Sequence, residues 1–188
     1  MSALTILIIR HAEKPGEAWP GPGLTKSGDP DDKSLVIRGW QRAGAWSALF
    51  GAGLGGADYP QPGVIYAADP NAAGDDVSKR PFETITPLAA RLGATPDVAY
   101  GVGAETQLAA EIEALSGCVL VCWEHKAICR AILPALAAGQ SLPGAPKTWD
   151  KTRFDVVFRL DRATPDAPWS FRQLLPRLMS GDPDAPMS

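Results

Sequence analysis

The chain has 188 residues, of which 45% are hydrophobic, enough for one sizeable core in a length that fits one domain better than two. Eighteen basic residues stand against twenty-one acidic ones, giving a net charge of −3 and a pI near 5.4, with no Lys/Arg run able to track a phosphate backbone. This balance argues against nucleic acid and anionic membrane as partners, and the lack of any run of about eighteen apolar residues predicts no membrane-spanning helix.

Taken in chain order, the first apolar run covers residues 4–9 and ends at Arg10-His11. It is too short for a signal-peptide core, has no basic segment ahead of it, and flows into the candidate chemistry, so it is expected to stay on the mature protein. Residues 15–34 form a stretch rich in Pro, Gly and Asp directly after His11. Loops of that length are functional or loose insertions, and this one is placed to border a pocket and help select substrates. Residues 38–50 put Trp40, Ala43, Ser47 and Phe50 on one helical face, and Gly51 to Gly56 reads as a helix-ending turn; its GxGxxG spacing follows a helix rather than a strand, which removes the dinucleotide reading. Residues 64–67 read as a short strand. A helix capped by Ser78 and running to Leu92 is expected to bend or break near Pro87.

Further strands are expected at 98–100 and 119–123, with helices at 105–116 and 126–138, the latter kinked by Pro134. Residues 154–160 and 169–171 follow as strands with no helix between them, so they are expected to pair antiparallel at a sheet edge. This alternation predicts an α/β three-layer sandwich with a mostly parallel central sheet and an antiparallel C-terminal edge. Residues 1–180 form the expected single domain and 181–188 a loose tail. Three cysteines, Cys118, Cys122 and Cys129, are an odd number in or near one buried strand and suit a reduced, cytoplasmic protein.

The chain has only two histidines, and each sits where an apolar run ends: His11 after residues 4–9 and His125 after 118–123. If both runs are parallel strands of one sheet, their carboxyl ends share the edge where open α/β sheets hold ligands. Arg10 beside His11 points to an anionic ligand, with phosphate the expected one. The alternative is that each histidine ends a core strand and bonds locally. Two histidines without clustered thiolates argue against a catalytic metal, and no cofactor is expected.

Arg10-His11-Ala12-Glu13-Lys14-Pro15 at a strand end closely resembles the N-terminal signature of the histidine phosphatase superfamily, also called phosphoglycerate mutase-like. Arg38-Gly39-Trp40-Gln41-Arg42-Ala43 resembles a helix start in that family, and Ser78-Lys79-Arg80-Pro81-Phe82-Glu83-Thr84 its second arginine motif. Val119-Leu120-Val121-Cys122-Trp123-Glu124-His125 resembles its late strand ending in the second histidine. The four segments occur in the family's order, and the RHAEKP variant with the small size is closer to short bacterial phosphatase-like members than to full-length mutases.

The resemblance implies a phosphomonoesterase in which His11 is the nucleophile, forming a phosphohistidine, while Arg10 and Arg80 grip nonbridging oxygens and His125 adds a donor. The substrate would be a phosphorylated small molecule or a phosphoprotein, and the product inorganic phosphate. A mutase or phosphotransferase using the same intermediate, and a noncatalytic phosphate-recognising or partner-binding protein, are the alternatives. Arg80 could instead pair with Glu83 on a helix surface, with Arg42 and Arg38 as substitutes in the cage. Glu105, at a helix start, is the candidate leaving-group acid, with Glu124 as the other possibility; Glu13 would orient the loop after His11. Lys126 stands where an acid-phosphatase or phytase-like branch carries an aspartate, which argues against that branch.

Overall fold

The computed structural model describes residues 3–16, 18–73 and 77–188. Five strands form one sheet in the order β2-β3-β1-β4-β5: β1 (Leu4–Arg10), β2 (Val64–Ala67), β3 (Gly117–Trp123), β4 (Val157–Arg162) and β5 (Ser170–Leu174). β1 pairs parallel with β3, and β3 with β2; β4 runs antiparallel to β1 and to β5. Continuous apolar runs build β1 and β3 because both faces of the sheet are covered. On one face Leu7, Ile9, Leu120 and Cys122 meet Trp46, Leu49 and Phe50 of α1 (Ile37–Gly51) and Ile85, Leu88 and Ala89 of α2 (Arg80–Leu92). On the other, Ile6, Ile8, Val121 and Trp123 meet Leu108 and Ile112 of α3 (Glu105–Glu113) and the helical stretch after His125. The expected three-layer α/β sandwich is therefore the architecture found.

That last stretch is composite. A single turn α4 (His125–Ala127) passes into a π-helical segment, Ile128–Ile132, and then α5 (Leu133–Ala137). Leu133 N–H bonds to Ile128 O, five residues back, so the widened turn accommodates the missing donor of Pro134 where a kink was expected. Pro87, by contrast, does not break α2: only one backbone bond is lost there, and the packing of Ile85, Leu88 and Ala89 onto α1 retains the helix. α2 ends at Gly93, whose φ of 63° is the left-handed cap conformation that glycine adopts without strain.

Three expectations change. Residues 98–100 do not form a strand; the chain touches β2 only through a single bridge, Tyr66 to Asp97, before Asp69 N–H takes Tyr100 O. β4 starts at Val157 rather than 154, because its ladder to β1 ends where Ile9 meets Val157. Residues 181–188 are tied down: Asp182 pairs with Arg42, Ala185 O accepts from Arg153, and Met187, 8% exposed, exchanges backbone bonds with the Gln173 side chain. No helix among the described residues is long and apolar enough to cross a membrane.

Candidate active site

The carboxyl ends of β1 and β3 lie side by side. Arg10 is in register with Trp123, and His11 N–H extends the ladder by donating to Trp123 O at 3.1 Å. Strand alternation sends Arg10 to the α3 face, with Trp123, and turns His11 the other way. His125 follows two residues after Trp123, at the first turn of α4.

His11 is 4% exposed, and its Nδ1 lies 2.7 Å from Ala12 O, so Nδ1 carries the proton and donates to that carbonyl. Nε2 is left as the lone-pair nitrogen, without a hydrogen bond among the described residues. Burial above all, and then the positive charge of Arg10, push the imidazole well below its ordinary pKa of 6.5; Arg80 and His125 act in the same direction, against the Ala12 bond. The ring is therefore neutral at pH 7.

Arg10 is 2% exposed. Its Cζ sits 3.9 Å above the Phe154 ring, whose centroid lies 6.1 Å from that of His11, so one aromatic side chain supports both groups. Nη1 donates to Lys151 O at 2.7 Å and Arg153 O at 3.1 Å. Nε is buried without a partner, and Nη2 has none among the described residues, so the side-on donor edge of this guanidinium is unspent. Burial lowers its pKa to about 10, which leaves it charged at neutrality.

Arg80 begins α2. Its Nε donates to Ser34 O at 3.3 Å and its Nη2 to Asp32 O, so the long loop after His11 borders the site by holding this arginine with two carbonyls. Its pKa is lowered, chiefly by burial. Arg80 does not pair with Glu83, the alternative the sequence leaves open. Glu83 instead turns to the loop, accepting from Ser34 Oγ at 2.6 Å and Leu35 N–H at 2.9 Å. Thr84 links the two halves: its Oγ1 accepts from Ala12 N–H at 2.8 Å and donates to Arg80 O at 2.7 Å.

Glu124 caps α4. Oε2 accepts from Ala127 N–H at 2.9 Å, and Oε1 lies 2.8 Å from His125 Nδ1, off the line of a straight hydrogen bond. Burial works to raise its pKa, but the His125 contact and the Ala127 and Lys126 backbone N–H groups outweigh it and hold the carboxyl at about 2. An ionised carboxylate against Nδ1 keeps the proton there and presents Nε2 of His125. Adjacent side chains of a strand point apart, which is why the sequence hides this pair; the cap geometry reunites them.

Glu105 lies elsewhere. Both its oxygens accept from Gly103 N–H at 3.0 Å, and Oε1 accepts from the fully buried Trp123 Nε1 at 2.9 Å. It anchors the indole beside Arg10 and the turn before α3, and accepts in each of its bonds. The sequence candidate for the leaving-group acid thus has its oxygens engaged by Gly103 and Trp123. Glu13, 0% exposed, is clamped by Arg42 Nε and Nη2 at 2.8–3.0 Å, with Arg38 Nε 3.5 Å away. Arg42 and Arg38 therefore hold the loop that follows His11 through Glu13. Close approach of α1 to this loop requires Gly39: a Cβ there would lie 2.5 Å from Glu13 O. Sequence reasoning missed Phe154, Thr84 and Asp182, and only the aromatic and hydroxyl character of the first two offered any signal.

No family model and no curated protein matches the chain. Solved structures do. A mycobacterial glucosyl-3-phosphoglycerate phosphatase superposes with a TM-score of 0.54 at 15% identity, over 92% of this chain and 98% of the other. A protein described as mycobacterial hydrolase 2 gives 0.54 at 14%, over 92% and 90%. Phosphoglycerate mutase from Plasmodium falciparum gives 0.54 at 13%, over 100% and 99%. The chain therefore shares its fold with these proteins, a phosphoglycerate mutase among them.

Proposed function

We propose that the protein is a phosphomonoesterase that works through a phosphohistidine on His11. One observation carries the reading: the unspent Nε and Nη2 edge of buried Arg10 stands beside a neutral His11 whose Nε2 is free to attack. A buried donor without a partner is costly unless a ligand completes it, and this edge matches two oxygens of a phosphoryl group.

In the first step the Nε2 lone pair forms a bond to phosphorus while the ester P–O bond breaks, and the leaving oxygen takes a proton from solvent water to depart as the alcohol. Arg10 and Arg80 hold the nonbridging oxygens, and His125, oriented by Glu124, meets the charge that spreads onto them. Water then attacks phosphorus, the P–N bond breaks, and inorganic phosphate leaves. Glu105 is not assigned the proton, since its oxygens serve Gly103 and Trp123. Catalysis by general acids typically contributes about 10² to 10⁴-fold, so a missing dedicated acid lowers the rate without removing the reaction.

Likeness to a mutase favours a second reading, in which the phosphohistidine passes its group to another hydroxyl. Incubation with p-nitrophenyl phosphate and a chelator tests the first. Phosphate release by the wild type and none by His11→Ala supports it; equal rates in both proteins would rule it out. Glycerol phosphate formed when glycerol is added would indicate transfer.

A further inference from the structure

Arg10 is aimed from the far end of the chain. β4 runs antiparallel to β1 and its ladder ends where Val157 meets Ile9, so the residues ahead of Val157 cross the strand end at Arg10. They do so in a tight turn. Asp150 O accepts from Arg153 N–H at 3.0 Å, while Asp150 Oδ1 accepts from Thr152 N–H at 2.8 Å and from Thr152 Oγ1 at 2.7 Å. The turn presents the Lys151 and Arg153 carbonyls to Arg10 Nη1 at 2.7 and 3.1 Å and sets the Phe154 ring 3.9 Å from its Cζ. Trp149 Nε1 braces it by donating to the same Arg153 oxygen at 2.9 Å.

A buried ion pair stands behind that turn. Arg153 gives Nε and Nη2 to the two oxygens of Asp155, which is 2% exposed, each at 2.8 Å, and its Nη1 reaches Ala185 O at 2.8 Å. A buried pair of charges is a poor stabiliser beside apolar residues of the same volume, so stability alone does not explain it. What a planar guanidinium on a carboxylate does supply is direction. The pair bridges the residues on either side of Phe154, and so fixes at once the Arg153 carbonyl that holds Arg10 and the ring that supports both Arg10 and His11.

We propose that Asp155 and Arg153 are positioning residues for Arg10: their ion pair holds the turn so that Nη1 is spent on its carbonyls and the Nε and Nη2 edge is left for the phosphoryl group. The assignment rests on the phosphatase reading of that edge. Without the pair, the Arg153 carbonyl and the Phe154 ring are released together, and the guanidinium gains freedom to rotate. Ordering its two donors then falls to the ligand, which weakens binding of phosphate and of the transition state alike. Ala185 O extends the support to the C-terminal segment, which enters the geometry of the site through Arg153.

A double-mutant cycle separates this role from ordinary structural support. Kd for inorganic phosphate, by titration calorimetry, and kcat/KM for p-nitrophenyl phosphate are measured for the wild type, Asp155→Asn, Arg10→Lys and the double variant, at a temperature where circular dichroism shows all four folded. Asp155→Asn is expected to worsen both by about ten- to a hundred-fold, the cost of a misplaced binding group. Added to Arg10→Lys, it should change neither by more than about two-fold, because the group it aims is gone. Arg153→Lys keeps the charge but loses the planar contact, and replaces Asp155→Asn in the cycle, with the same expected result, if that variant does not fold. An equal loss with and without Arg10→Lys would overturn the proposal. The Nε–Hε NMR signal of Arg10, assigned by its disappearance in Arg10→Lys, reads the positioning whatever the activity. Its order parameter should drop in Asp155→Asn, and an unchanged value would overturn the proposal. A drop in a protein that neither binds phosphate nor hydrolyses the ester keeps the positioning role and removes the phosphatase reading. Hydrolysis through His11 with an unchanged Arg10 signal keeps the phosphatase and removes the positioning role.

Discussion

Replacement of Arg42 by methionine tests whether the clamp behind His11 is electrostatic. The guanidinium is 2% exposed and bridges two carboxylates, reaching Glu13 at 2.8–3.0 Å and Asp182 at 3.1 and 2.8 Å. Methionine fills the stem but leaves Glu13 with only the 3.5 Å contact from Arg38. Removing one partner of a buried ion pair costs about 3–5 kcal/mol, and the remaining Arg38 charge places the expected loss near the lower end, about 3 kcal/mol. In a chain of this length each kcal/mol moves the midpoint by about 2–4 °C, so Tm should fall by about 6–12 °C. Urea and thermal unfolding at pH 7 measure it. Arg42→Met/Glu13→Gln should recover part of the loss, since the uncompensated charge carries most of the penalty. Burial raises the Asp182 pKa, but hydrogen bonds from Arg42 and Met179 N–H outweigh it and hold it below the ordinary value of 3.8. A depressed carboxylate stabilises above its unfolded pKa and loses that contribution as pH falls through the folded one. The gap between wild type and Arg42→Met should therefore narrow in acid. A loss under about 1 kcal/mol at pH 7 is the worth of a surface pair and would mean that the Glu13 charge is not buried as an ion pair.

Titrating the His11 ring by NMR should show a neutral imidazole well below pH 6.5; a folded pKa at or above that value would contradict the effect of burial and Arg10. Because the folded state binds this proton less readily than the unfolded chain, the contribution of His11 to stability is full above about pH 6.5 and declines as pH falls below it. Glu105→Gln should slow alkyl and aryl phosphates equally and destabilise the fold by about 1 kcal/mol; a selective loss on alkyl esters, whose leaving groups need protonation more, would restore Glu105 as the acid. Thr84→Val strands the Ala12 N–H and should cost about 1–3 kcal/mol in urea unfolding while lowering turnover; an unchanged midpoint would mean that the N–H finds another acceptor.

What could be read from sequence follows the range of each interaction. His11, Arg10 and His125 stand where strongly apolar runs stop, so local pattern alone locates them at one sheet edge. Arg80 needs the family resemblance, because nothing in its helix distinguishes a ligand-facing arginine from a surface one. Phe154 escapes detection because its value lies in touching Arg10 and His11 from the far end of the chain. The bond from Arg10 to Lys151 O spans 141 residues, and the Arg42–Asp182 pair spans 140. That second pair also accounts for the misread tail, whose Pro, Gly and Asp content looks loose while Asp182 and Met187 are bound. The surroundings of Glu105 are hidden for a different reason. An acidic residue at a helix start satisfies the helix dipole wherever it points, and only the position of Trp123 shows that its oxygens are occupied.

A phosphoenzyme trapped during turnover distinguishes covalent transfer through His11 from direct hydrolysis. The protein is mixed with an aryl phosphate, quenched within the first turnover in alkali to preserve phosphohistidine, digested and analysed by mass spectrometry. Transfer through His11 leaves an acid-labile phosphoryl group on the peptide carrying His11, with none in His11→Ala. Phosphate released through single turnovers with no such adduct, or with the label on His125, would contradict it.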